Sequence, residues 1–318
     1  MADFVYNLPR LLALHEAERE LAAWSGPALA PLTPLTPLPP PTPRAIGVLS
    51  GSFNPLTRGH AALVEAAWRE GIDGILLLLP LRAVDKEAVT RASAVDRALV
   101  LTEWARHHAG TGVALVNRGL YVEQAALLAE RYPSSRIVFI VGHDKIVQIF
   151  DPRYYEEREA ALRALFARAT FRVAPRAGRG DAALQTLLAQ DGNAPFAPGV
   201  AALALDADAD ADVDVDALSS TAVREKVGAG EPWELLVPHE AARFIREARP
   251  YAPPQHVPDG EELDPYGLRL SILTGAATGR LAIATAADFA ALYRAARAET
   301  AEGYRWRAFL REQQSPIA

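Results

Sequence analysis

The chain has 318 residues, half of them hydrophobic, enough to bury a sizeable core in one large domain with appendages or in two domains. Its formal charge is −6, from 33 basic and 39 acidic residues without a long Lys/Arg run, which argues against a nucleic-acid footprint; with no cysteine, disulfides, a thiolate nucleophile and a Cys-based zinc site are all excluded. The longest apolar run, Ile75 to Leu81, is far too short to span a bilayer, and Arg10, His15, Glu16, Glu18 and Arg19 interrupt the N-terminal segment, so a soluble cytoplasmic protein with no membrane partner is expected.

Residues 1–26 are predicted to form a helical N-terminal extension, with Leu8, Leu11, Leu12, His15, Glu18, Leu21 and Ala22 in an imperfect stripe. It docks on the main domain or on a second subunit, which would make a homo-oligomer, or it stays a loose tail. Residues 27–43 carry Pro31, Pro34, Pro37, Pro39, Pro40, Pro41 and Pro43 and read as a semi-rigid linker, unable to be a helix or a central strand. From residue 44 to 251, strand patterns at 45–50, 73–79, 112–117, 136–141, 168–174 and 200–205 alternate with helical ones at 60–70, 94–108, 122–131, 155–167 and 181–190. Strands such as Ile75-Leu76-Leu77-Leu78-Leu79 and Ile137-Val138-Phe139-Ile140-Val141 are apolar, so the expected fold is α/β: a Rossmann-like doubly wound parallel sheet covered on both faces. Ligands of such sheets bind beyond the carboxyl ends of the strands. The Asp run from Asp206 to Asp216, alternating with Ala and Val, fits a solvated loop better than a divalent-ion site, and no protein-held metal is expected. Residues 252–318 form a small, mainly helical C-terminal extension of unread role, too short for an independent core and expected to pack on the main domain or a neighbouring subunit.

The stretch from Gly51 to His60, Gly-Ser-Phe-Asn-Pro-Leu-Thr-Arg-Gly-His, joins the first main strand to the first main helix. Gly51 lets backbone approach a ligand, Pro55 stiffens the loop and Gly59 permits close packing at the helix start. The free N–H groups and positive dipole end of that helix favour a polyphosphate, and Thr57 and His60, three apart, could both donate to it. Late in the chain, Leu218-Ser219-Ser220-Thr221-Ala222-Val223-Arg224 reads as a second capped helix start, with Thr221 and Arg224 presenting a hydroxyl and a cationic fork on one face.

Together these two strings resemble the GxFxPxTxGH and ISSTxxR motifs of the nucleotidyltransferase superfamily, and the Phe-Asn-Pro version looks most like the nicotinamide/nicotinate mononucleotide adenylyltransferases. The resemblance covers roughly Arg44 to Tyr251. It implies an enzyme of NAD biosynthesis whose ligands are small-molecule nucleotides: ATP, as substrate with its Mg2+, is joined to the mononucleotide and pyrophosphate leaves. His60, Arg224, Thr57 and Lys86 would be catalytic. Gly51, Ser52, Phe53, Asn54, Gly59, Ser219, Ser220 and Thr221 would cradle ATP, with Gly142 and Asp144, which match the family's GxD, beside a ribose. Arg97 and Arg176 would meet the acceptor, with Tyr155 or Phe150 where the family carries a stacking Trp. Pro80 to Lys86 departs from the usual PxxPHK, with Lys86 favoured for the Lys role over a solvated loop charge.

Asp144 could also cap the helix that follows it. Phosphopantetheine adenylyltransferases share the T-x-G-H but usually carry Phe-Asp-Pro and lack the second motif, and Thr57 departs from the HxGH of cytidylyltransferases. The alternatives are such a sibling enzyme or a nucleotide-binding module without catalysis.

Overall fold

The structure, a computed structural model, describes residues 4–25, 32–40, 43–81, 92–174, 180–205, 218–256 and 262–312. Lys86, Arg176 and the aspartate run from Asp206 to Asp216 lie outside them.

After α1 (Leu8–Ala22) come β1 (Thr33–Pro34), β2 (Ala45–Ser50), α2 (Arg58–Arg69), β3 (Gly74–Pro80), α3 (Ala94–Ala105), β4 (Thr111–Val116) and α4 (Tyr121–Arg131). The second half of the sheet domain holds β5 (Arg136–Gly142), α5 (His143–Phe150), α6 (Arg158–Phe166), β6 (Ala169–Ala174), α7 (Gly180–Leu188) and β7 (Val200–Ala202), then α8 (Ser220–Ala229) and α9 (His239–Ala248). The C-terminal extension supplies a two-stranded ribbon, β8 (Gln255–His256) and β9 (Glu262–Leu263), and helices α10 (Pro265–Ala277), α11 (Ala286–Arg297) and α12 (Ala301–Glu312).

The sheet runs β1-β4-β3-β2-β5-β6-β7, parallel except for β1, which lies antiparallel on the edge of β4. From β2 the chain winds outward through β3 and β4, then returns to β5 on the other side of β2 and winds the opposite way. The order therefore reverses between β2 and β5, and in an open parallel sheet the ligand crevice lies at that reversal, beyond the carboxyl ends. The expected α/β doubly wound architecture is the observed one.

Alternate strand residues feed two cores, because successive side chains of a strand point to opposite faces. Ile75, Leu77 and Leu79 of β3 face α1, α2 and α3, whereas Leu76 and Leu78 face the side of α4, α5 and α6. All five side chains are fully buried, each contributing about 2 kcal/mol of transfer free energy before entropy is subtracted.

Residues 32–40 of the proline-rich stretch lie against the sheet. Thr36 Oγ1 accepts from the Val113 amide (2.9 Å), and Pro39 sits so close to Gly74 and Gly112 that a Cβ at either would approach its ring to 2.7 or 2.9 Å. Pro34 is accommodated because β1 is an edge, where a missing N–H costs no ladder bond. Both extensions join the core formed by α2 and α3. Leu8, Leu11, Leu14 and Leu21 of α1 are buried there, with Leu12 of the expected stripe packed partly buried on the same core and Leu14 added to it, and Arg10 donates to Thr102 of α3 (2.7 Å). Tyr266, Ile272, Phe289 and Tyr293 of the C-terminal extension enter the same core. Among the described residues no helix is long and apolar enough to cross a membrane.

Candidate active site

The loop after β2 leads into α2, and Thr57 is that helix's N-cap. Its hydroxyl accepts from the His60 amide (3.4 Å), while the His60 ring returns to the cap: Nδ1 accepts the Thr57 amide (3.0 Å) and lies 2.8 Å from Thr57 Oγ1. An acceptor nitrogen carries no proton, so this pattern puts the hydrogen of the neutral imidazole on Nε2. The half-buried ring is hard to charge, because desolvation pulls its pKa down to about 4. His60 is thus a neutral N–H donor on a fixed ring. Thr57, expected to donate to phosphate beside it, is instead buried with its hydroxyl on Nδ1 and orients the imidazole.

Phe53 shapes the loop. Its backbone is left-handed (φ 47°), a conformation that costs an L residue about 1 kcal/mol, and its buried ring packs on the His60 ring with centroids 5.1 Å apart. At Gly51 a Cβ would make only ordinary contact with the Phe53 ring, at 3.7 Å, so no neighbouring protein atom demands glycine there. Ser52 is exposed, and its carbonyl accepts from the buried Arg97 (Nη1, 2.7 Å). Arg97, expected to meet the acceptor, spends its Nε and Nη1 on Ala92 and Ser52 carbonyls and so supports the loop from beneath.

The second motif meets the first directly. Ser219 caps α8, accepting from the Ala222 amide (3.1 Å), and Ser220 donates to the Pro55 carbonyl (2.8 Å). The half-buried Arg224 forks: Nη1 donates to the Asn54 carbonyl (2.8 Å) and Nη2 to Thr221 Oγ1 (3.1 Å). Gly59 lies flat against the start of α8, where a Cβ would come 3.3 Å from that of Leu218. The N-termini of α2 and α8 therefore begin side by side, and two such ends with a guanidinium between them favour an anion. Asn54 is buried, its Oδ1 accepting from Tyr251 (2.7 Å), a partner that nothing local in the sequence marks.

Along the carboxyl edge, Gly142 caps α5, so Asp144 lies exposed in the first turn and does not serve as the cap. Two neighbours missed from sequence, Asn117 after β4 and His143 after β5, each bury a polar atom, Oδ1 and Nε2, without a hydrogen-bond partner among the described residues. Phe150 is withdrawn from the crevice: it is buried and stacks on Phe166, with Phe196 beside it. Tyr155 is half-buried, donates to the Ile149 carbonyl (2.7 Å), and burial pushes its phenol up to about 12.

Among curated proteins, a probable nicotinate-nucleotide adenylyltransferase of Synechococcus sp. (strain JA-3-3Ab) is 30% identical over 67% of this chain and 98% of its own. One of the same name from Gloeobacter violaceus is 29% identical over 66% of this chain and 97% of its own. A solved structure of Plasmodium falciparum nicotinic acid mononucleotide adenylyltransferase complexed with APC aligns over 65% of this chain and 97% of its own, at 15% identity and a TM-score of 0.45. The cytidylyltransferase-like family model matches residues 48–226, a span that starts in β2 and ends in α8 and so includes both motif turns. The chain belongs to the cytidylyltransferase-like family.

Proposed function

We propose that this chain is a nucleotidyltransferase that joins ATP to nicotinate or nicotinamide mononucleotide, forming the dinucleotide of NAD biosynthesis and releasing pyrophosphate. The observation that carries the reading is the contact of the two motif turns, in which α8 is pinned to the Asn54 and Pro55 carbonyls beside the His60 ring. The names of relatives matched over nearly their whole length support the acceptor class.

In the reaction the 5′-phosphate of the mononucleotide attacks the α-phosphorus of ATP in line. The new P–O bond forms as the bond to the bridging oxygen breaks, and the electron pair leaves with pyrophosphate. A phosphate nucleophile is already anionic and needs no general base, so the protein's task is positioning and charge neutralisation. His60 Nε2–H and the Arg224 fork stabilise charge developing on bridging and leaving oxygens, and Thr57 holds the imidazole in the donating tautomer. Gly51, Ser52, Phe53, Asn54 and Gly59 form the loop against the triphosphate, with Ser219, Ser220 and Thr221 opposite. Gly142 and Asp144 flank a ribose, and Tyr155 lies toward the acceptor. Lys86 and Arg176 remain proposed contacts outside the described residues. Magnesium enters on ATP as part of the substrate.

The test is magnesium-dependent pyrophosphate release from ATP with nicotinate mononucleotide, nicotinamide mononucleotide and phosphopantetheine side by side. Release with a pyridine nucleotide is expected. Release with phosphopantetheine alone would move the chain to the sibling chemistry, and silence with all three, from protein that binds ATP, would leave a non-catalytic nucleotide-binding module.

A further inference from the structure

The C-terminal extension, beyond the span that the family model matches, reaches back to the start of α3. There Tyr266 of α10 accepts from the Ser93 amide (2.7 Å) and donates to Asp96 Oδ2 (2.8 Å), while Arg269 Nη2 donates to Asp96 Oδ1 (2.7 Å). Asp96 and Arg269 are both fully buried, the latter against the faces of Phe244 and Phe289. The next residue is Arg97, whose guanidinium holds the Ala92 and Ser52 carbonyls at 3.1 and 2.7 Å.

We infer that Tyr266 and Arg269 are positioning residues of the nucleotide site: they clamp Ser93 and Asp96 so that Arg97 keeps the Ser52 loop in its binding geometry. A buried ion pair adds little net stability, because desolvating two charges offsets most of their attraction; what it imposes is one geometry. Here that geometry fixes the first turn of α3, and the side chain it delivers touches the triphosphate loop. A shift of about 1 Å at such a support is enough to disturb a preorganised site.

This inference rests on the adenylyltransferase reading only for the identity of the nucleotide, and its test is separable from it. In the full-length protein, affinity for a non-hydrolysable ATP analogue is measured by calorimetry, alongside the melting temperature, in Tyr266→Phe and Arg269→Lys. Arg307→Lys is the control, since that buried guanidinium donates within the same extension, to the Ala296 and Ala298 carbonyls (3.0 and 3.1 Å). The clamp variants should bind the analogue about tenfold more weakly, the equivalent of one buried hydrogen bond, with the control unchanged at a similar loss of melting temperature. Affinities that follow melting temperature alike in all three would overturn the inference. Arg269→Lys keeps the charge, so either clamp variant suffices if the other does not fold. A wild-type enzyme that binds the analogue but turns over no pyridine nucleotide would sink the functional reading and leave this comparison standing.

Discussion

Replacing His60 by alanine and following the protonation of the native ring test the same geometry from two sides. Keeping the imidazole neutral down to about pH 4, where an ordinary one charges near 6.5, corresponds to about 3 kcal/mol against the imidazolium. That is an upper figure, because the ring is only half-buried and water screens part of the penalty. A phosphate charge about 4 Å away supplies on the order of 4 kcal/mol per unit charge at an effective dielectric near 20, so bound triphosphate offsets much of that penalty, while the Thr57 amide on Nδ1 still opposes a second ring proton. The His60 Hε1 resonance of the free protein should therefore stay flat from pH 8 to 5, and its titration should move up toward the ordinary 6.5 once an ATP analogue is bound. The stability sign follows from the depressed value. Between pH 6.5 and 4 the unfolded chain holds a proton that the folded one lacks, so the contribution is complete above 6.5 and is lost as pH falls through that window. His60→Ala removes the Nε2 donor and should lower kcat about a hundredfold in pyrophosphate release, while the lost cap costs only about 1 kcal/mol of stability. Free-protein titration near 6.5, or near-full turnover in the alanine variant, would refute the neutral-donor assignment.

Arg224→Ala should lower kcat/KM by on the order of a hundredfold, and Arg224→Lys should recover part of it, since an ammonium keeps the charge but cannot span the Asn54 carbonyl and Thr221 together; equal activity of the two would show that the fork is idle. At Gly59, valine drives methyl groups beyond a Cβ that is already 3.3 Å from Leu218, so steady-state assays should show KM for ATP rising severalfold, and an unchanged KM would mean that the two helix starts can part without consequence. Leu77→Ala empties a fully buried position of β3 and should cost about 2–5 kcal/mol in urea unfolding, with a loss below about 1 kcal/mol contradicting the two-core packing.

The alternation of largely apolar strands with amphipathic helices, and the two motif strings, were readable from the chain because each is local. A strand's alternation and a cap's spacing are set within a few residues, and so were the helix starts at Thr57 and Ser219. The C-terminal helices were legible as patterns, but not what they touch.

Tertiary structure decided the rest. Thr57 has the right chemistry for a phosphate donor, yet burial turns its hydroxyl onto His60. Phe150 has the right place in the order for a stacking ring, yet Phe166 of α6 and Phe196 before β7 draw it into an aromatic cluster that continues to Phe171 of β6. Arg97 looks like any helix-start cation until Ser52 is found 45 residues away at its tip, and Asp96 meets Arg269 across 173 residues. Such pairings carry no periodic signal, because their partners become neighbours only when the sheet closes and both extensions settle on one of its faces. The sequence alone therefore determined the sheet and the two motif turns, whose causes lie within a few residues, while only the folded chain determined which side chains line the crevice between those turns and which support them from behind.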